Sequence, residues 1–195
     1  RAINTIERAQ QLGLMTDPRT NYSLVTIYIN DGQPGKATDL LHAGLRKGAI
    51  ESTSANWRIL ADQYRQADKP FQAVDALAEA AKAFPKEGMI EQRAGDILLS
   101  LEKTKEARDH YRLATQKGNL EKPYVAWQLL AYTSMELEDW DTAQKAITEA
   151  AKAPEFQKDQ QSQRLKEHID STVKRLHDEA EAKQKEATEK NKKSV

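Results

Sequence analysis

One pattern constrains this chain more than any other: the same order of residue sizes returns every 34 to 36 positions. Taken from Trp57 it runs Trp57, Leu60, Ala61, Tyr64, then Ala73, Leu77, Ala80 and a closing Pro85. Shifted by 34 it becomes Glu91, Ala94, Gly95, Leu98, Ala107, Tyr111 and Ala114, and a further 36 gives Trp127, Leu130, Ala131, Ser134, Ala143, Ile147 and Ala150. Thirty-six positions before the first set stand Asn21, Leu24, Val25, Tyr28, Ala37, Leu41 and Gly44, with Gly32 between the halves. Ala2, Ile6 and Ala9 repeat the second half alone. A period of this length marks supersecondary units that bury their apolar faces by stacking. Within each half the apolar residues recur at three and four positions, the spacing of an amphipathic helix. Each unit therefore reads as a hairpin of two helices, A and B.

Packing explains the residue at each place. Ala37, Ala73, Ala107 and Ala143 mark where A and B approach most closely, facing Val25, Ala61, Gly95 and Ala131. A larger side chain there would drive the axes beyond the usual ~8–10 Å. Leu41, Leu77, Tyr111 and Ile147 fill the space between one hairpin and the next. The punctuation agrees with this register: Asp17-Pro18 gives an N-cap and first-turn proline, and Pro34 and Pro70 open two B helices, where a missing N–H costs little. Thr53 or Ser54 caps the Trp57 helix, and Asp139 the helix that follows it.

The expected fold is an all-α solenoid of helical hairpins with a C-terminal capping helix. Residues 1–17 read as the second helix of a truncated hairpin. Residues 18–155 carry four hairpins (about 18–51, 54–87, 88–121 and 124–157), 158–177 the capping helix, and 178–195 a charged helical or disordered tail. Leu165, Ile169, Val173 and Leu176 form the cap's narrow apolar stripe. Beyond His177 the pairs Glu179–Lys183, Glu181–Lys185, Glu186–Lys190 and Glu189–Lys193 support a solvated helix. Glu91 in place of Trp, Asn119 in place of Pro, Ser134 at the aromatic position and Glu155 near the close predict looser packing in the second half. Since Arg1 opens directly into a helical pattern, the chain reads as a fragment, with any targeting signal upstream.

These residues resemble the tetratricopeptide repeat (TPR) over positions 1 to about 155, which implies a superhelix whose A helices line a concave groove. The chain is unlike the chaperone-tail type, which clamps two carboxylates with Lys and Asn: the matching positions hold Arg58, Ile59, Asp62, Gln92 and Arg93. The stretches AGDILLSLEKTKEARDHYR and EKPYVAWQLLAYTSMELEDWDTAQKAI are similar to the C-terminal repeats of Gram-negative proteins associated with TonB–ExbB–ExbD systems. That likeness implies an envelope-associated adaptor in the periplasm, a cytoplasmic one being the alternative.

Equal numbers of cationic and anionic residues, 30 of each, argue against a nucleic-acid partner, which calls for a basic excess. No apolar run approaches the ~18 residues that cross a bilayer. Absence of Cys removes thiol chemistry and Cys-based zinc. His42, His110, His168 and His177 form no ligand pair at helical spacing, and no phosphate-binding or nucleophile motif is present. The reading is therefore non-enzymatic, without cofactor or metal: a scaffold holding a partner protein or peptide. In the groove register lie Tyr22, Arg58, Asp62, Arg65, Gln66, Gln92, Arg93, Asp96, Gln128 and Tyr132, with Leu99 and Met135 as an apolar shelf. Arg58, Asp62 and Arg65 face one way, with Arg93 and Asp96 beside them on the next A helix. Either they capture a partner's carboxylates and carbonyls, or they satisfy one another at ~0.3–0.5 kcal/mol per exposed pair. Two further readings stand beside the scaffold: a monomer or weak dimer associating through Leu165–Leu176, and a regulatory repeat domain of a larger enzyme.

Overall fold

The computed structural model describes residues 2–14 and 17–193, with the side chains of residues 5–14 and 17–189. Arg1, Met15, Thr16 and residues 194–195 lie outside them, as do the side chains of Ala2, Lys190 and Lys193, so the expected pairs Glu186–Lys190 and Glu189–Lys193 do too. The described residues form eleven helices and no strand. They are α1 (Ala2–Gln11), then the hairpins α2 (Pro18–Asn30) with α3 (Pro34–Lys47) and α4 (Ser54–Gln66) with α5 (Pro70–Ala83). After these come α6 (Gly88–Ser100) with α7 (Thr104–Lys117), α8 (Pro123–Glu136) with α9 (Trp140–Ala150), the single turn α10 (Pro154–Lys158), and α11 (Gln160–Lys193). Each helix from α1 to α8 packs on the next, α4 also touches α6, α10 packs on α11, and α11 lies against both α8 and α9. This is an all-α solenoid.

The small residues sit where the register requires. Ala37, Ala73, Ala107 and Ala143 have no exposed surface, and neither do Val25, Ala61 and Ala131 opposite them. The fourth member of that row, Gly95, leaves room for a ring: a methyl group built on it would lie 2.8 Å from Tyr111 Cε1. Tyr111 therefore packs inside its own hairpin as well as between hairpins.

The turn between A and B is the same in all four repeats. Residues 33, 69, 103 and 139 donate their N–H to the carbonyls of Tyr28, Tyr64, Leu98 and Ser134 at 2.8–2.9 Å, closing the helix with a six-to-one bond. The residue before each donor is left-handed: Gly32 (φ 68°), Asp68 (57°), Glu102 (60°) and Glu138 (57°). Only the first is the glycine that this conformation favours. Asp17, Thr53 and Asp139 cap their helices, accepting N–H bonds from Thr20, Asn56 and Thr142 at 3.0–3.2 Å.

At the C-terminal end Leu165, Ile169 and Val173 cover the last hairpin, Ile169 without exposed surface, while Leu176 stays exposed. Phe156, which no repeat position predicts, is fully buried on α10 beside this stripe. Asp159 caps α11 through the Ser162 N–H at 3.0 Å. Two expected tail pairs are replaced: Glu179 is held by Arg175 at 2.8 Å and Glu181 by His177 at 3.5 Å, one turn back along the helix. Cap and tail are one helix without a break at residue 177, about 50 Å long at 1.5 Å per residue.

The expected looseness in the second half is only partly found. Ser134 is fully buried at the aromatic position, its hydroxyl without a partner. Glu91, by contrast, is firmly held. Almost wholly buried, its carboxylate takes His110 Nδ1 at 2.7 Å and Lys117 Nζ at 2.5 Å. Burial works to raise its pKa, but the hydrogen bonds with His110 and Lys117 outweigh it and hold the carboxyl below the usual range. At the positions of Glu91 and His110 the neighbouring repeats carry Trp57 with Ala76 and Trp127 with Ala146. A polar pair has replaced an apolar one at both ends of the same contact.

Two predictions come from this architecture. Glu138→Gly should raise unfolding free energy by about 1 kcal/mol in chemical denaturation, by removing a left-handed residue that bears a Cβ. Glu91→Leu alone should cost about 1–3 kcal/mol, because Lys117 and His110 lose their acceptor. The double variant Glu91→Trp/His110→Ala should fall within about 1 kcal/mol of wild type. Glu91's lowered pKa makes its contribution present above the carboxylate range and lost as pH falls through the folded value. Thermal melts below about pH 4.5 should thus drop more steeply for wild type than for the double variant.

Candidate functional site

The A helices α2, α4, α6 and α8 follow one another as the first helices of successive hairpins, and the side chains expected in the groove lie along them. The row has a charged centre. On α6, Arg93 reaches back to Asp62 of α4, its Nε 2.8 Å from Oδ1 and its Nη2 on the same oxygen. Its other amino group lies 3.8 Å from Asp96, one turn along α6. Asp96 accepts the Tyr111 hydroxyl at 3.0 Å. Burial pushes the Asp96 carboxyl above the usual range, against the lowering pull of Tyr111, Arg93 and Arg65. Burial and the neighbouring carboxylate likewise push the Tyr111 hydroxyl up, so it stays a donor.

Two other arginines flank this cluster. Arg58 lies one turn before Asp62, with Nη1 3.6 Å from Glu121 in the loop before α8 and with its buried Nε making no hydrogen bond. Arg65 is exposed near the other end of α4 and makes no ion pair within 4.0 Å among the described residues; Asp96 feels its charge. Seven residues separate the two guanidinium-bearing positions, about 10.5 Å along a helix. The two readings of this charge set therefore divide it between them. Asp62, Arg93 and Asp96 satisfy one another, which corrects the expectation of Arg93 as a free carboxylate-binding group. Arg58 and Arg65 keep hydrogen-bonding capacity.

The remaining predicted residues disperse along the row. Tyr22 lies apart from the charged centre, lining a depression of about 310 Å³ with Arg19, Ile50 and Asn56. Gln66, Gln92, Gln128 and Tyr132 make no side-chain hydrogen bond with a described residue; Tyr132 is exposed, and Leu99 and Met135 are partly buried against the core. Tyr111 and Glu121 belong to the site and were not foreseen. Tyr111 was assigned to packing by its size, and Glu121 sits in a loop outside the repeat register. A carboxylate next to a glycine that faces a tyrosine (Asp96 beside Gly95) was the available signal for the first.

His42 joins another network: Nδ1 is 2.7 Å from the Tyr64 hydroxyl, Nε2 3.5 Å from Glu79, and Arg46 grips Glu79 through both oxygens. Among the described residues no group of three His, Asp or Glu side chains is placed to hold a metal ion, and no helix is long and apolar enough to cross a membrane.

No protein-family model matches the sequence, and no curated protein matches it. Solved structures do. A tetratricopeptide repeat protein from Parabacteroides merdae is 18% identical with a TM-score of 0.65, over 84% of this chain and 62% of its own. MamA is 21% identical with a TM-score of 0.59, over 77% of this chain and 85% of its own. YrrB, described as a TPR protein with an unusual peptide-binding site, is 18% identical with a TM-score of 0.59, over 88% of this chain and 82% of its own. At these identities the likeness is one of fold. The hairpin solenoid read from the 34-to-36-residue period is the architecture of the tetratricopeptide repeat structures.

Proposed function

We propose that the chain is a non-catalytic protein-interaction scaffold, and that the A-helix row around Arg58 and Arg65 holds an extended segment of a partner protein. The observation that carries this reading is the division of charge on α4 and α6. Asp62, Arg93 and Asp96 form a mutually braced centre, while Arg58 and Arg65 flank it and take no part in it. Two guanidinium groups on rigid helix suit carboxylates of an extended peptide. A separation of about 10.5 Å along the helix matches two acidic residues three positions apart, at about 3.3 Å per residue. Leu99, Tyr132 and Met135 supply apolar contact farther along. The peptide-binding site ascribed to YrrB, a chain of the same fold, supports a role of this kind.

The finer proposal is an adaptor of a TonB-type envelope complex, periplasmic in location. Its support is the resemblance of residues 94–112 and 121–147 to the repeats of such proteins.

Affinity capture from envelope extract tests both levels. The Arg58→Ala/Arg65→Ala variant leaves the Asp62–Arg93–Asp96 cluster intact and should keep the wild-type melting temperature within a few degrees. Partner recovery should fall tenfold or more. Equal recovery by variant and wild type would remove the A-helix row as the binding face. Capture of partners that include no TonB, ExbB or ExbD component would remove the finer proposal alone.

A further inference from the structure

The B helices form the opposite face, and the repeat allows two of its furrows to be compared position by position, 70 residues apart. Between α3 and α5 the furrow is closed over Trp57. His42 stands edge-on to the indole at 5.9 Å, Arg46 crosses to Glu79, and Ser52 accepts the Trp57 Nε1–H at 3.0 Å. Trp57 is left 5% exposed.

Between α7 and α9 the same four positions are Arg112, Gln116, Glu149 and Lys122, and none closes the furrow. Arg112 turns away toward Asp109 at 3.5 Å and Asp139 at 4.0 Å. Glu149 is held by Lys152 at 2.6 Å, and Gln116 and Lys122 make no side-chain hydrogen bond with a described residue. Trp127 is accordingly only half-buried, its indole N–H without an acceptor among the described residues. The ring borders a cleft of about 690 Å³ and, on its other side, a second depression of about 370 Å³. The larger volume is that of a ligand site, ~300–1,000 Å³.

The chemistry of this cleft selects its occupant. Trp127, Leu130 and Ala146 give it an apolar floor. Arg112 and Lys145 stand at its rim; Lys145 makes no ion pair within 4.0 Å among the described residues, and the one acid among the lining residues, Glu149, is neutralised by Lys152. A ligand here gains from an aromatic group against the indole, from an acceptor for its N–H, and from negative charge. We infer that the α7–α9 furrow is a second protein-interaction site, which takes an acidic peptide segment of a partner, one aromatic side chain stacked on Trp127 and a carboxylate on Lys145. It shares no residue with the groove site around Arg58 and Arg65 and stands or falls independently of it.

The three indole N–H signals of Trp57, Trp127 and Trp140 in ¹H–¹⁵N spectra, assigned by Trp→Phe substitutions, provide the readout. The probes are three hexapeptides with the same central Phe-Leu, flanked by Asp/Glu, by Ser/Gln or by Lys/Arg. The acidic peptide should shift the Trp127 signal and leave that of Trp57 in place. Lys145→Glu should weaken this binding tenfold or more. Arg112→His/Gln116→Arg, which copies the residues that close the first furrow, should abolish the shift, and Arg58→Ala/Arg65→Ala should leave it unchanged. A Trp127 signal unmoved by millimolar acidic peptide would overturn the inference. So would an equal response to the basic peptide, or a shift that survives in the closed variant. Lys145 is exposed and unpaired, so its variant keeps the test decisive if the double variant fails to fold.

Discussion

Everything in this molecule depends on how closely two helices of one hairpin can approach. At Ala37, Ala73, Ala107 and Ala143 the B helix presents only a methyl group to its partner, and all four are sealed from solvent. That close contact sets the hairpin angle, and repetition of one angle turns four hairpins into a row of A helices on one face and B helices on the other. Neither face exists in a single hairpin. The two faces are thus a consequence of packing between units, and the residues on them are brought together only through the stack.

The third repeat departs most from the pattern, and its helix α6 shows how a solenoid accommodates charge within an apolar period. It carries two carboxylates of different character, one buried and one half-buried. Glu91 replaces an aromatic residue and is compensated by Lys117 and His110 from α7, which keep it ionised. Asp96 occupies a groove position, is braced by the Tyr111 hydroxyl, and is raised by burial. One orders the hairpin from within; the other fixes Arg93 and so leaves the charge balance of the binding face to Arg58 and Arg65. The interior of this repeat and its surface are coupled through α7, which supplies the partners of both.

Much of this was legible in the chain itself. The hairpins, their caps at Asp17, Thr53 and Asp139, and the buried alanines followed from spacing, because a helix contact repeats wherever the local geometry repeats. Three things did not follow. Asp68, Glu102 and Glu138 stand in left-handed turns that only Gly32 advertises, since the six-to-one bond closing each turn goes with a conformation their side chains disfavour. Phe156 fills the end of the stack from outside the repeat register. The Asp62–Arg93 pair joins residues 31 positions apart, whose mutual satisfaction depends on side-chain direction across two helices.

The amino-acid sequence by itself determined the architecture, because period and residue size act locally and identically in every unit. Which surface positions remain available for binding was decided only by the tertiary structure. Trp57 and Trp127 occupy the same place in the repeat, yet one is covered by His42 and flanked by Arg46 and Glu79, while the other lies open beneath Arg112 and Gln116. Arg58 and Arg93 are likewise indistinguishable as charges on neighbouring A helices until packing brings Asp62 to one and leaves the other with a distant Glu121. Availability is a property of neighbours, and neighbours are supplied by the fold.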